Sequence, residues 1–257
     1  MERFSLLLTS QGVSPEQAMR HEWDERAREN ARYYIANHHW ETEAEFERSG
    51  EADLNKMLTD IGEFLSPDMT VLEIGCGIGR LLKPLARRFR TVYGVDISPE
   101  MVRLAKERLK DSKNVKVWVN NGWDLRPIRT QQADLVVSYI VFGHIPEVAI
   151  VRSYIEEAFR VLKPGGLFEF QVSGHEDTPE ARKDEEERVK DTVMGVHFTQ
   201  SGIRRMTAKA GFRVLSTTQQ ARHYGAELLS AVGVKSIKRR KYFRRTAVFH
   251  WVVAQKP

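Results

Sequence analysis

Val71-Leu72-Glu73-Ile74-Gly75-Cys76-Gly77-Ile78-Gly79-Arg80 decides the reading of this 257-residue chain. An apolar strand runs into three alternating glycines, and a helical pattern starts directly after them. Glycine accepts a tight turn, and without a Cβ it lets a ligand approach the backbone. Outward from this turn, short apolar strands alternate with helices. Strands are predicted at Thr70–Ile74, Thr91–Val95, Val115–Val119, Asp134–Ile140 and Leu167–Val172. Helices are predicted at Arg80–Arg88, Pro99–Lys110 and Glu147–Leu162, the last with Val148, Val151, Ile155, Phe159 and Leu162 on one face. The alternation predicts an α/β fold: a doubly wound, parallel sheet covered by helices on both sides. In such sheets ligands sit beyond the carboxyl ends of the strands, at a switch point that this turn borders. Pro84 is discordant, because inside a helix it removes a backbone hydrogen bond.

Upstream, Ser14 to Ile35 reads as a helix with Ser14 as N-cap, Pro15 at its first position and Gln17 completing a capping box. Met19, Trp23, Ala27, Ala31 and Tyr34 form its apolar stripe. Thr42 and Glu45 make a second capping-box pattern, and Leu54, Met57, Leu58, Ile61 and Leu65 a third amphipathic helix closed by Ser66-Pro67-Asp68. Residues 1–50 are therefore expected to form a helical cap or lid on a domain of residues 51–257. Downstream, a charge-dense excursion over 176–198 precedes a helix from Gln200 to Ala210, capped by Thr199 and ended by Gly211. Two last strands, Phe212–Thr217 and Thr246–Ala254, flank a basic connector over 219–245.

Apolar residues make up 41% and charged residues 29%, a globular balance that excludes wholesale disorder. No apolar stretch reaches the roughly 18 residues of a membrane-spanning helix, and the apolar part of Met1–Ser10 is short for a secretory signal. The single cysteine, Cys76, excludes an intrachain disulfide and a multi-cysteine zinc site, and suits a reducing, cytoplasmic setting. The net charge of +5 is local. Lys235, Lys238, Arg239, Arg240, Lys241, Arg244 and Arg245 contribute seven positive charges, and without them +5 becomes −2. That run could meet phosphates of nucleic acid, an anionic substrate or a membrane surface, or be an exposed connector.

Asp96 ends the second strand about 20 residues beyond the glycine turn, where an acid can accept from ribose hydroxyls. Turn and acid together point to a nucleoside-containing cofactor. Dinucleotide turns read G-x-G-x-x-G, and here Arg80 stands where their third glycine would fall. A nicotinamide oxidoreductase is therefore disfavoured.

At this point the chain resembles the class I S-adenosylmethionine-dependent methyltransferases, from about Leu54 to Val172 and weakly to the end. Ala133-Asp134-Leu135-Val136-Val137-Ser138 resembles their fourth strand, and Val141-Phe142-Gly143-His144-Ile145-Pro146 the loop after it. Arg160-Val161-Leu162-Lys163-Pro164-Gly165-Gly166 is similar to their turn into the fifth strand. The resemblance implies a Rossmann-like, seven-stranded sheet with an antiparallel last strand. It implies S-adenosylmethionine as cofactor and S-adenosylhomocysteine as product, with Gly75, Cys76 and Gly77 near the methionyl part and Glu73 also among the cofactor-binding residues. Asp96 would take the ribose hydroxyls, Ile97 would pack on the adenine, and Met101 would also bind the cofactor.

The family places an acid and a small residue after the third strand. Here Asn120-Asn121-Gly122-Trp123-Asp124 stands there, so Asn121, with Asp124 as alternative, would meet the adenine amino edge beside Gly122 and Trp123. Tyr34 and Tyr139 would line the pocket, and Tyr33, Tyr34 and Trp40 could shield the sulfonium, or else Tyr34 and Trp40 pack the cap onto the sheet.

His144 is the candidate general base, or else a histidine that packs its loop. Cys76 reads as a backbone-approach residue rather than a nucleophile, and His38 and His39 as solvated rather than metal ligands. His197, His223 and Tyr224 are candidates for an acceptor pocket. The expected acceptor is a small molecule. An RNA or protein acceptor is the alternative, although Ser138-Tyr139-Ile140-Val141 stands where many base-amine methylating enzymes carry Asn-Pro-Pro-Tyr or Asp-Pro-Pro-Tyr. A non-catalytic cofactor-binding protein on the same fold is the third reading.

Overall fold

Thirteen residues of one strand, β5, hold the two halves of the sheet together. The structure, a computed structural model, describes residues 12–36, 40, 42–175, 195–222 and 247–257. Its strands are β1 Thr70–Ile74, β2 Thr91–Asp96, β3 Val115–Val119, β4 Ala133–Ser138, β5 Leu162–Gly174, β6 His197–Phe198, β7 Arg213–Arg222 and β8 Ala247–Gln255. They form one sheet in the order β3-β2-β1-β4-β5-β8-β7. Strands β1 to β5 are mutually parallel, and β8 runs antiparallel to both β5 and β7. The antiparallel last strand is as expected, but the described residues form eight strands rather than seven. The extra one, β6, pairs with Ser173 and Gly174 of β5. The last β4 pair on β5 is Ser138 with Phe170, so β6 satisfies backbone groups that the shorter β4 leaves open.

The helices are α1 Pro15–Ala36, α2 Glu43–Leu58, α3 Leu82–Arg88, α4 Pro99–Arg108, α5 Val148–Val161 and α6 Gln200–Lys209. Leu72, Ile74, Val136, Phe168 and Phe170 turn to the sheet face packed by α5 and α6. Val71, Leu135, Val137 and Leu167 turn to the face packed by α2, α3 and α4. Burial on both faces explains why all five residues of β1 are buried and why these strands read as unbroken apolar runs. Phe168 and Phe170 are fully buried and stacked at 4.4 Å.

Pro84 is the third residue of α3, inside the first turn, where its missing N–H has no helical partner to lose. The glycine turn runs on through Leu81, so α3 starts two residues later than predicted. Both hydrogen bonds of the Thr42–Glu45 capping box form. The helix they start continues to Leu58 and then a 3₁₀ turn over Thr59–Phe64, merging two predicted elements. Gly50 does not break it; a Cβ there would strike the Arg80 carbonyl, so glycine lets α2 lie against the glycine turn.

Helix α1 bends at Asn30, whose φ of −166° and ψ of 83° are non-helical. Asn30 Oδ1 accepts from the Tyr33 N–H at 3.1 Å, so a side chain caps the last turn and turns Tyr34 and Ile35 toward the sheet edge. At the other end, Gln17 accepts the Ser14 N–H at 3.3 Å, while the Ser14 hydroxyl donates to Glu16. Asp24 of α1 accepts from Ser98 Oγ and from the Glu100 N–H, which ties α1 to the start of α4. Among the described residues no helix is long and apolar enough to cross a membrane.

Candidate active site

A cleft of about 710 Å³, counting the open space at its mouth, lies beyond the carboxyl ends of β1 to β4. Ile74, Gly75 and Gly77 line one side; Asp96, Ile97 and Met101 the next; Tyr139, Ile140 and Val141 the third. Met19, Trp23, Tyr34 and Ile35 of α1 roof it. Asn120, His144, Ile145 and Tyr154 complete the lining.

The turn is shaped by residues that only glycine serves well. Gly75 has φ +71° and Gly77 φ +51°. A Cβ on Gly75 would overlap the Val141 side chain, and one on Gly77 would sit 3.1 Å from Ile35 Cγ2. The Gly77 N–H donates to Asp96 Oδ2 at 2.8 Å, and the Ser98 N–H to Asp96 Oδ1 at 2.9 Å. Burial pushes the Asp96 carboxyl up to about 6, against the pull of those two N–H bonds. Ile140 carries φ +57°, a conformation costing a β-branched residue about 1–3 kcal/mol, and it sits in the cleft wall.

Eight of the sequence-derived candidates line this cleft: Tyr34, Gly75, Gly77, Asp96, Ile97, Met101, Tyr139 and His144. Glu73 lies beneath the turn. Burial raises its carboxyl well above the usual range against the opposing charge of Arg80, and Oε2 has no hydrogen-bond partner among the described residues. Cys76 is buried beside Gly94, away from the cleft, and burial pushes its thiol up. Asn121 Oδ1 accepts from the Trp123 and Asp124 N–H groups, both at 2.9 Å, and its Nδ2 donates to Asp124. Its amide thus ties its own loop and faces a shallow hollow beside Arg20 and His21. Gly122, with φ +88°, packs on Ile97, and the Trp123 carbonyl accepts from Ser153 Oγ.

Trp23 meets His144 edge-on at 5.4 Å, with the Arg26 guanidinium over its ring at 4.7 Å. Tyr34 donates to Glu29 at 2.8 Å; burial, with that bond, pushes its hydroxyl up to about 12. Tyr139 stacks on Trp251 at 5.5 Å under the Arg80 guanidinium, which pairs with Asp53 at 2.6 Å. Trp40 packs on Phe46, and His197 stacks on His175. His38, His39, His223, Tyr224, the basic run of 235–245 and residues 176–194 lie outside the described residues.

Sequence reasoning missed Met19 and Trp23 as cleft residues, although they lie on the apolar stripe of α1. It also missed Asn120, where Asn121 of the same stretch was preferred, and Tyr154 of α5, which Asn120 meets only in the fold.

Residues 72–170 match the family described as methyltransferase domain. The demethylmenaquinone methyltransferase of Tropheryma whipplei is 36% identical over 96 residues, 37% of this chain and 38% of that protein. A probable ribosomal RNA small subunit methyltransferase A of Methanosarcina acetivorans is 27% identical over 149 residues, 58% of this chain and 52% of that protein. The chain thus spans about two fifths to half the length of these relatives. Among solved structures, geranyl diphosphate C-methyltransferase of Streptomyces coelicolor, bound to S-adenosyl-L-homocysteine, shares the fold with a TM-score of 0.62 at 17% identity, over 95% of this chain and 98% of that one. Residues 72–170 are thus similar to a methyltransferase domain, and the chain shares its fold with solved methyltransferases.

Proposed function

We propose that this chain transfers a methyl group from S-adenosylmethionine to a small-molecule acceptor. The observation that carries the reading is the bare turn at Gly75 and Gly77, held by Asp96 on the wall of a roofed cleft. Bound there, the cofactor would supply an activated methyl group on a sulfonium. The chain's own contribution is alignment and exclusion of water. Gly75 and Gly77 offer backbone without side chains. Asp96 retains lone pairs beyond its two backbone bonds, and ribose hydroxyls can donate to them. Ile97 and Met101 give an apolar bed for a base, and the ring of Tyr34 in the cleft wall suits a cation.

His144 is the group placed to take a proton from the acceptor, with Trp23 holding its ring. Replacing His144 by Ala should lower turnover at saturating substrate by about 10²-fold or more with cofactor affinity kept; full turnover would assign the ring to packing alone.

The T. whipplei relative and the enclosure of the cleft by α1 favour a small acceptor. The M. acetivorans relative and the basic run of 235–245 favour RNA as the second reading. Release of S-adenosylhomocysteine in a screen of small acceptors and RNA separates the two. Release with small acceptors supports the first. Release with RNA alone, lost when the seven basic residues are neutralised, overturns it.

A further inference from the structure

Next to Asp96 the cleft holds a hydrogen-bond acceptor and a donor, side by side, that the protein leaves unused. Asn120 follows β3. Its N–H donates to the Asp96 carbonyl at 2.9 Å, and its own carbonyl accepts from Arg20 at 3.0 Å, so its backbone is held from both sides. Its Nδ2 donates to the Tyr154 hydroxyl at 2.8 Å. With the amide nitrogen committed there, Oδ1 is left as acceptor; it is buried and has no partner among the described residues, in a side chain only 5% exposed. Tyr154 is 4% exposed and stacked on Phe142, and its own proton reaches no acceptor among the described residues. Both residues line the cleft. Buried polar groups of this kind call for a partner.

We propose that Asn120 and Tyr154 are the specificity-determining pair for the cofactor's base: Asn120 Oδ1 takes an N–H of the 6-amino group, and the Tyr154 hydroxyl donates to the ring nitrogen beside it. The proposal rests on the cofactor reading above. It fits the layout, because the Asn120 N–H is bonded to the carbonyl of the acid assigned to the ribose. It also fits the neighbouring Asn121, whose amide oxygen is spent on two backbone N–H groups. A 6-oxopurine would set its carbonyl oxygen against Oδ1, acceptor against acceptor, and its ring N–H would make the Tyr154 hydroxyl give up its role as donor and turn to accept.

The test is calorimetric titration of the intact chain with S-adenosylhomocysteine and with its 6-oxo counterpart, S-inosylhomocysteine. The wild type should bind the oxo compound about 100-fold more weakly. Asn120→Leu and Tyr154→Phe, near-isosteric changes confirmed folded by thermal melting, should each weaken S-adenosylhomocysteine by about 10- to 100-fold and cut the discrimination below about tenfold. A merely structural role would weaken both compounds together. Equal wild-type affinity for the two, a preference for the oxo compound, or unchanged discrimination in both variants overturns the proposal. Uptake of neither compound overturns it together with the cofactor reading.

Discussion

Two buried carboxyl groups, in opposite halves of the sheet, have different fates. Asp96, at the open end of β2, accepts from the Gly77 and Ser98 N–H groups, and its carboxyl is pushed by burial only to about 6. Glu169, in the middle of β5 between Val137 and Val253, is 3% exposed, and its Oε2 has no hydrogen-bond partner among the described residues. Burial, with some help from Asp60, pushes it up to about 8. The lesson is positional. At a strand end, backbone donors offset burial and leave a charged group facing a cleft. On the sheet's face no donor is at hand, and the same burial is a cost to stability.

The largest expected effect breaks the strand-end side of the comparison. Gly75→Ala puts a Cβ into Val141 at φ +71° and should destabilise the fold by about 2–4 kcal/mol in urea denaturation. Asp96→Asn should weaken S-adenosylhomocysteine by about 30- to 100-fold, the loss of about 2–3 kcal/mol of charge-assisted bonding. Glu169→Gln should leave that affinity within about twofold.

Glu169→Gln sharpens the other side. A group whose folded pKa lies above its unfolded value binds its proton more tightly when folded, so its contribution is present at low pH and is lost as pH rises. For Glu169 that window runs from the ordinary glutamate value of 4.5 to about 8. The variant should therefore gain about 1–3 kcal/mol over wild type at pH 9 and nothing at pH 4. Equal denaturation midpoints at pH 9 would remove the assignment.

Smallest is the pH dependence of binding. With Asp96 titrating near 6, lowering the pH from 7.5 to 5.5 should weaken S-adenosylhomocysteine by about fourfold in the wild type and leave Asp96→Asn unaffected.

The layout of this sheet was legible because β1, β4 and α5 announce themselves by unbroken or periodic apolar runs, and the antiparallel last strand came from the resemblance. The eighth strand was not legible: a two-residue pairing has no periodicity, and its cause is the length of a neighbouring strand. The merger of two predicted helices into α2 turned on Gly50, whose meaning lies in a carbonyl 30 residues away. At the site, turn and acid were readable because strand, glycine and acid lie close in sequence. Asn121 and Asn120 show the limit. Both carry the same amide at the same strand end, and only the folded loop determines which oxygen is spent on backbone N–H groups and which is left buried without a partner among the described residues.

Hydrogen–deuterium exchange of the intact chain with and without S-adenosylhomocysteine locates the ligand most directly. The account predicts slower exchange in the amides of Gly75 to Gly79 and of Asp96 to Ser98, with the amides around Glu169 unchanged. Binding that leaves the glycine turn exchanging at its unliganded rate would contradict it.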